Sequence, residues 1–189
     1  MFNAYFHLVE LVDTVRQYGD KKVRKVLENT IPYAGKALPD YPVVLAKWFY
    51  DYMTWDDSPA LPRRDDVLHV LKQRRGRCGE YANLFTAMLV AAGRKARMVF
   101  DFTDHVWTEY FDEEKGWVAL DSTLGNPVIE RYFRDNKPLS YILAIEPSKI
   151  TDVTKNYTTK WEDVKKRRNP MIDALIESFN LGAERQDWE

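Results

Sequence analysis

Cysteine occurs once in the 189 residues, at position 78, so no disulfide can join two residues of this chain and no thiolate-rich zinc site can be built from it. A lone thiol points to a reducing, cytoplasmic setting. Histidine is nearly as scarce, and only His7, His69 and His105 are available as bases. No sign of charge is in excess. The 28 Lys and Arg residues face 29 Asp and Glu for a net charge of −1, which gives no global pull toward nucleic acid or an anionic membrane. No run approaches the ~18 consecutive apolar residues of a membrane span. The opening MFNAYFHLVELVD has neither the basic nor the apolar region of a secretion signal, so no leader is expected. What is present is a core-forming composition, 45% hydrophobic and 14% aromatic, suited to one domain with short appended helices.

Residues 1 to 30 read as helical, with Leu8, Leu11, Val12 and Val15 at helical spacing and Val23, Val26 and Leu27 continuing after Gly19. Pro32, Gly35, Pro39 and Pro42 interrupt the pattern. A second helix is expected from Val43 to Trp55, and a short one from Asp66 to Gln73 beyond a loop from Asp56 to Asp65. From Glu80 to Ala92 apolar residues occupy most of the helical circumference before Gly93, which marks a central buried helix. The period then changes. Ala96 to Phe102, His105 to Phe111, Trp117 to Asp121 and Leu139 to Ile145 read as strands, Ile150 to Tyr157 is a further candidate, and DEEKG at 112–116 is a hairpin turn. A last amphipathic helix starts near Asn169-Pro170, with Ile172, Leu175, Ile176 and Phe179 on one face. Helices followed by antiparallel strands give an α+β class. The expected organisation is a helical extension over 1–40, a core over 41–160 and a helical tail over 161–189, all in one compact unit.

Cys78 stands at the start of the buried helix, where unpaired N–H groups and the helix dipole favour thiolate over thiol. Gly76 and Gly79 leave room for a substrate backbone, and the Cys78 N–H can serve an oxyanion. The competing reading is a small buried core cysteine. A nucleophilic cysteine needs a base. His7 and His69 sit on helices without an evident orienting partner, whereas His105 begins a strand whose return strand ends in Asp121. A turn centred at Glu113 puts Asp121 opposite His105; a centre at Glu114 puts Thr123 opposite and Asp121 on the diagonal. Either would let Asp121 fix the imidazole tautomer and stabilise its cation. Asp101, Asp104 and Asp112 are competitors without that placement. Trp48 and Trp55, seven apart and so two turns along one helix face, are core residues or groove residues, one of which could offer its indole N–H to an oxyanion. Glu80 and Tyr81 are further candidates for the groove. The runs KQRRGR and KKRR are solvated surface or a local anion patch.

Several segments together resemble one family. GRCGEYANLFTAMLVAAGRKARMVFDFTDHVWTEYF, then WVALDS, then KPLSYILAI with TDVTKNY, and upstream WFYDYMTW, are similar in order to the cytosolic peptide:N-glycanases of the transglutaminase-like superfamily. The resemblance implies a transglutaminase-like, papain-like cysteine hydrolase core in which a central helix carries the nucleophile and packs on an antiparallel sheet, with flanking helices. It implies Cys78 as nucleophile, His105 as base and acid, Asp121 as orienter, and a tryptophan of the upstream helix at the oxyanion. The implied reaction cleaves the amide between an asparagine side chain and its glycan, leaving aspartate and a glycosylamine, with no cofactor and no metal in the site. The implied partner is an N-glycosylated, unfolded protein or glycopeptide, with neither nucleic acid nor membrane; no protein adaptor is indicated. The chain departs from the family in having no pair of Cys-x-x-Cys motifs between the tryptophan helix and Cys78, which makes it a minimal form without the zinc-bearing insertion. Tyr81 replaces a common tryptophan, Lys155-Asn156 replaces an aromatic-basic pair, and STLGNP follows Asp121 in place of an acidic, cysteine-containing stretch. Two alternatives remain open: a transglutaminase-like protease or amidase acting on a non-glycosylated substrate, and a non-catalytic binding module of the kind found in nucleotide-excision-repair damage-recognition proteins.

Overall fold

The computed structural model describes residues 2–32, 38, 40–58, 66–130 and 132–186, and side chains from Leu8 to Gly182 within them. The chain opens with α1 (Phe2–Arg16), a 3₁₀ turn (Gln17–Gly19) and α2 (Lys21–Thr30). Asp20 caps α2, its carboxylate accepting the N–H groups of Lys22 and Val23 at 2.8 and 2.9 Å. α3 (Tyr41–Tyr52) leads to β1 (Thr54–Trp55); α4 (Val67–Gln73) leads to β2 (Arg75–Gly76) and at once to α5 (Cys78–Ala91). β1 and β2 pair in parallel, with Trp55 opposite Gly76. This short ladder fixes how the chain enters α5.

The sheet follows: β3 (Ala96–Asp101), β4 (His105–Asp112), β5 (Gly116–Leu120), β6 (Ile142–Glu146) and β7 (Lys149–Asp152), in the order β5-β4-β3-β6-β7 with every neighbouring pair antiparallel. A 3₁₀ turn (Thr154–Tyr157), α6 (Trp161–Lys165) and α7 (Pro170–Gln186) complete the chain. α5 lies on one face of the sheet, where Leu84, Phe85, Met88 and Leu89 are wholly buried in one cluster with Met98, Val106, Tyr110, Leu143 and Ile145. Inside that interface the Thr86 and Thr108 hydroxyls are 2.8 Å apart, so each satisfies the other. The opposite face carries a second cluster of Val99, Trp107, Leu139, Ile142, Ala144, Val153, Tyr157 and Val164. The N-terminal helices belong to the α5 cluster through Leu8, Val12, Val15 and Leu27, and the Tyr18 hydroxyl donates to Asn83 on α5 at 2.9 Å. At the β7 edge, the Asn180 amide accepts from the Ile150 N–H and donates to its carbonyl, both at 2.9 Å. α7 thereby covers strand groups that would otherwise be free to pair with another chain.

The α+β architecture, with a central helix on an antiparallel sheet and flanking helices, is the one the sequence led us to expect. Local differences have local causes. α3 stops at Tyr52, because Met53 turns extended (φ −100°, ψ 153°) and Trp55 joins the β1–β2 ladder, so Trp55 does not share a helix face with Trp48. The segment after β7 coils into a 3₁₀ turn rather than continuing as strand to Tyr157, and α6 is an additional short helix. Of the loop expected over 56–65 only 56–58 lie within the described residues, and Gly35 and Pro39 lie outside them. No helix among the described residues is long and apolar enough to cross a membrane.

Candidate active site

The chain reaches the site through Gly76. A Cβ on this buried glycine would stand 2.4 Å from Glu80 Cβ and 2.9 Å from Glu80 Cγ, so only glycine lets β2 pass so close to the first turn of α5. Arg77 is extended, and its N–H donates to the Glu80 carboxylate at 3.0 Å. Glu80, at the third helical position, thus reaches back to cap the turn that begins with Cys78. The Arg77 guanidinium donates to the Ser58 carbonyl at 2.9 Å, which ties the end of the described β1 loop to the same turn. Gly76→Ala is expected to lower stability by about 1–3 kcal/mol through overpacking. It should also slow alkylation of Cys78, since Glu80 must move. A melting curve and an iodoacetamide rate that both match wild type would contradict this.

His105 opens β4, and its Nε2 lies 2.7 Å from Asp121 Oδ2. Asp121 is buried, and its Oδ1 accepts from both the backbone N–H and the hydroxyl of Thr123, at 2.9 and 2.6 Å. Thr123 therefore holds one carboxylate oxygen while the other faces the imidazole. The imidazole also hydrogen-bonds Cys78. With Nε2 occupied by Asp121, Nδ1 is the ring nitrogen left for the sulfur. Burial alone would pull the His105 pKa down, but the hydrogen bonds and charges of Asp121 and Cys78 outweigh it and lift it to about 9. Asp121 is the mirror case. Burial pushes its pKa up, and the bonds from His105 and Thr123 outweigh that and hold it below the usual carboxylate range. At neutral pH the site thus holds an imidazolium between a carboxylate and a sulfur. That cation and the α5 N-terminus both favour Cys78 as thiolate. Chemically, the arrangement offers a nucleophile, a proton carrier and a fixed carboxylate.

The register that produces this contact is the second of the two expected. β4 and β5 pair from Thr108↔Leu120 to Asp112↔Gly116, which centres the turn on Glu114. Asp121 lies one residue past that ladder, diagonal to His105, with its N–H donated to the Pro127 carbonyl at 2.8 Å. Asp101 does have a cross-strand placement, contrary to the sequence reading, because it faces His105 directly across β3–β4. Its carboxylate is taken by the Thr103 N–H and by Arg134 Nε, at 2.7 and 2.8 Å. Asp104 pairs with Arg134, and Asp112 accepts two N–H groups of its own turn. His69 is exposed on α4, and the His7 side chain lies outside those described.

The four remaining candidates divide. Trp55 is half exposed, opposite Gly76 and with its ring centre 6.0 Å from that of Tyr81. It stands beside the strand that leads into Cys78. Trp48 stacks on Tyr52 along α3 at 4.6 Å. Glu80 and Tyr81 are buried: the first caps the helix turn, and the second packs edge-on against Phe49 with its hydroxyl pKa pushed up by burial to about 12. Both side chains are almost wholly covered. The sequence reading names Thr123 only as a register partner of His105; its bonds to Asp121 follow from an Asp-x-Thr spacing, a recognised local side-chain-to-backbone turn. It passed over Phe133, whose ring sits edge-on to His105 at 6.5 Å.

Residues 13–122 match the family model of the transglutaminase-like superfamily, and residues 102–188 match that of the Rad4 transglutaminase-like domain. The peptide-N(4)-(N-acetyl-beta-glucosaminyl)asparagine amidase of Arabidopsis thaliana is 43% identical over 121 residues, covering 61% of this chain and 16% of that protein. The Homo sapiens protein of the same name is 37% identical over 133 residues, covering 68% of this chain and 20% of that one. The chain therefore spans about a fifth or less of the length of these relatives. Among solved structures, a Rad4–Rad23 complex bound to a 6-4 photoproduct UV lesion has a TM-score of 0.67 at 16% identity, covering 96% of this chain and 55% of that one. Calcium-bound Legionella pneumophila LapG reaches 0.50 at 14% identity, over 86% of this chain and 98% of that one. At such identities the likeness concerns the fold.

Proposed function

The chain belongs to the transglutaminase-like superfamily, and from that membership we propose that it is a cysteine amide hydrolase that cleaves the bond between an N-linked glycan and its asparagine. The observation that carries the proposal is the hydrogen-bonded series Cys78–His105–Asp121, with the sulfur on the first turn of α5. The Cys78 thiolate attacks the side-chain amide carbon of the glycosylated asparagine. The oxyanion that forms is served by the Cys78 N–H, and the half-exposed Trp55 is the better placed of the two tryptophans to contribute its indole N–H. His105, held as cation, gives its proton to the departing glycosylamine nitrogen. The C–N bond breaks and a thioester remains. Water then attacks the thioester, His105 takes the water's proton, and the aspartate product leaves as Cys78 is released. Asp121 orients the ring and balances its charge throughout. The names of the relatives, which are N-acetyl-beta-glucosaminyl-asparagine amidases, support a glycosylated asparagine as the substrate; its carriage on an unfolded glycoprotein or glycopeptide in the cytoplasm is part of the proposal.

The test is incubation with a denatured high-mannose glycoprotein, followed by mass spectrometry of the peptide. Release of the glycan with conversion of Asn to Asp is the expected result. A second reading is favoured by the interval from Asp56 to Arg77, which holds no cysteine and so no zinc-bearing insertion: the same site acting on a non-glycosylated amide. Cleavage of peptide amides with the glycoprotein untouched would select it. Absence of both activities together with a Cys78 that resists alkylation would instead select a silent binding module.

A further inference from the structure

Behind His105, on the sheet face away from α5, lies a buried polar network outside the Cys78–His105–Asp121 series. Arg97 on β3 donates through Nε to Glu109 Oε2 on β4 at 2.7 Å, and its Nη2 lies 2.6 Å from the same oxygen. Both side chains are 5% exposed or less. The other oxygen, Glu109 Oε1, accepts the Tyr157 hydroxyl at 2.5 Å. Tyr157 in turn accepts the Trp107 indole N–H at 3.0 Å. Burial first, and then the Glu109 charge, keep the Tyr157 hydroxyl protonated, so it can donate to the carboxylate while accepting from the indole. Both Glu109 oxygens, the Tyr157 hydroxyl and the Trp107 indole N–H each have a directional partner, and the plane of the Trp107 ring is set by one hydrogen bond at its far edge. The imidazole is that ring's neighbour, two residues earlier on the same face of β4. The His105 and Trp107 ring centres are 6.0 Å apart with planes inclined by 28°, and Phe133 packs edge-on against Trp107 at 5.2 Å.

We propose that Trp107, oriented by Tyr157, Glu109 and Arg97, is a positioning residue that holds the His105 ring between Cys78 and Asp121 and stabilises its cationic form. The inference rests on the proposed cysteine chemistry but is read out without it. An indole face attracts a cation within about 6 Å, and the attraction grows when water is excluded. A buried ion pair such as Arg97–Glu109 is weak evidence for stability, since apolar replacements often do as well. What it supplies here is direction: it fixes Tyr157, and Tyr157 fixes the ring. The other charged groups facing the imidazole are Asp121 after β5, Cys78 on α5, Asp101 across from it on β3 and Asp104 in the β3–β4 turn. Arg134 is paired to Asp101 and Asp104, and Glu109 lies behind Trp107 neutralised by Arg97. None of these groups is itself replaced in the Trp107 variants, so a change in imidazole titration reports what the indole does for the placement and charge of the His105 ring.

The experiment uses wild type, Trp107→Phe, Trp107→Leu and Tyr157→Phe. It follows His105 titration by NMR and the pH dependence of Cys78 alkylation by iodoacetamide. Removing the indole should lower the His105 midpoint by about half a pH unit in Trp107→Leu. Trp107→Phe should fall between that variant and wild type, and Tyr157→Phe should shift the same way through a loosened ring. The alkaline change in the alkylation profile should move down with each. If Trp107→Leu does not fold, Trp107→Phe and Tyr157→Phe carry the decision. Folded variants whose His105 midpoint and alkylation profile coincide with wild type would overturn the proposal, leaving Trp107 as core packing. A shifted midpoint in a protein that releases no glycan would uphold it while overturning the proposed substrate.

Discussion

Cys78→Ala is expected to reduce glycan release to the uncatalysed background while leaving the melting temperature within a few degrees of wild type. The first half follows from chemistry: with the sulfur gone no thioester can form, and His105 has no thiolate to pair with. The second half follows from position. Cys78 is partly exposed at the first turn of α5, and the capping bond of that turn is made by Glu80 to the Arg77 N–H, not by the thiol. Truncation at a partly open site leaves no sealed cavity, so the penalty of several kcal/mol seen when core side chains are removed does not apply. The same variant should titrate His105 at a lower pH than wild type, because one of the two hydrogen-bonded neighbours that raise its pKa has been removed. Loss of activity accompanied by an equal loss of fold would make Cys78 a structural residue and remove the premise of the proposed reaction.

The sequence carried the elements of this site better than their assembly. α5 was legible because Leu84, Phe85, Met88 and Leu89 fall in a run that is apolar around its whole circumference, a pattern only a central helix can bury. The face of Asp121 was legible for a subtler reason. A turn centred on Glu113 or on Glu114 changes the pairing by two residues, and side chains alternate with a period of two. Asp121 therefore shares a face with His105 in either register; only the choice between opposite and diagonal needed the structure. Trp55 was not legible. Nothing in YDYMTWDD ends the helix, and what draws Trp55 away is pairing with Gly76, twenty-one residues later. The Arg97–Glu109–Tyr157–Trp107 network was hidden for the same reason. Its Tyr157 bonds span 48 and 50 residues and join a 3₁₀ turn to the middle of the sheet, a contact that no local period encodes.

Asp121→Asn is expected to lower kcat by about four orders of magnitude with little effect on KM, and the geometry says why. Two donors from Thr123 converge on Oδ1, so the asparagine carbonyl oxygen will occupy that position and its NH₂ will take the place of Oδ2. That NH₂ must donate to His105 Nε2, which can accept only if the neutral ring carries its proton on Nδ1. Nδ1 then points a hydrogen at Cys78 and can no longer receive one, and the imidazolium loses the carboxylate that sustained it. The alkaline limb of Cys78 alkylation should shift to lower pH for the same reason. Stability adds an independent sign. The folded-state pKa of His105, about 9, lies above its ordinary 6.5, so the stabilisation linked to it is complete below pH 6.5 and is lost as pH rises through 9. The folded-state pKa of Asp121 lies below its ordinary 3.8, so its share is present above 3.8 and is lost as the pH falls below that. The melting-temperature deficit of Asp121→Asn should therefore be greatest between pH 3.8 and 6.5 and shrink above 9. Thermal melts of both proteins at about pH 5.5 and about pH 9.5 decide the matter: an equal deficit at the two would mean that the ionic pairing of Asp121 with His105 is not what the carboxylate contributes.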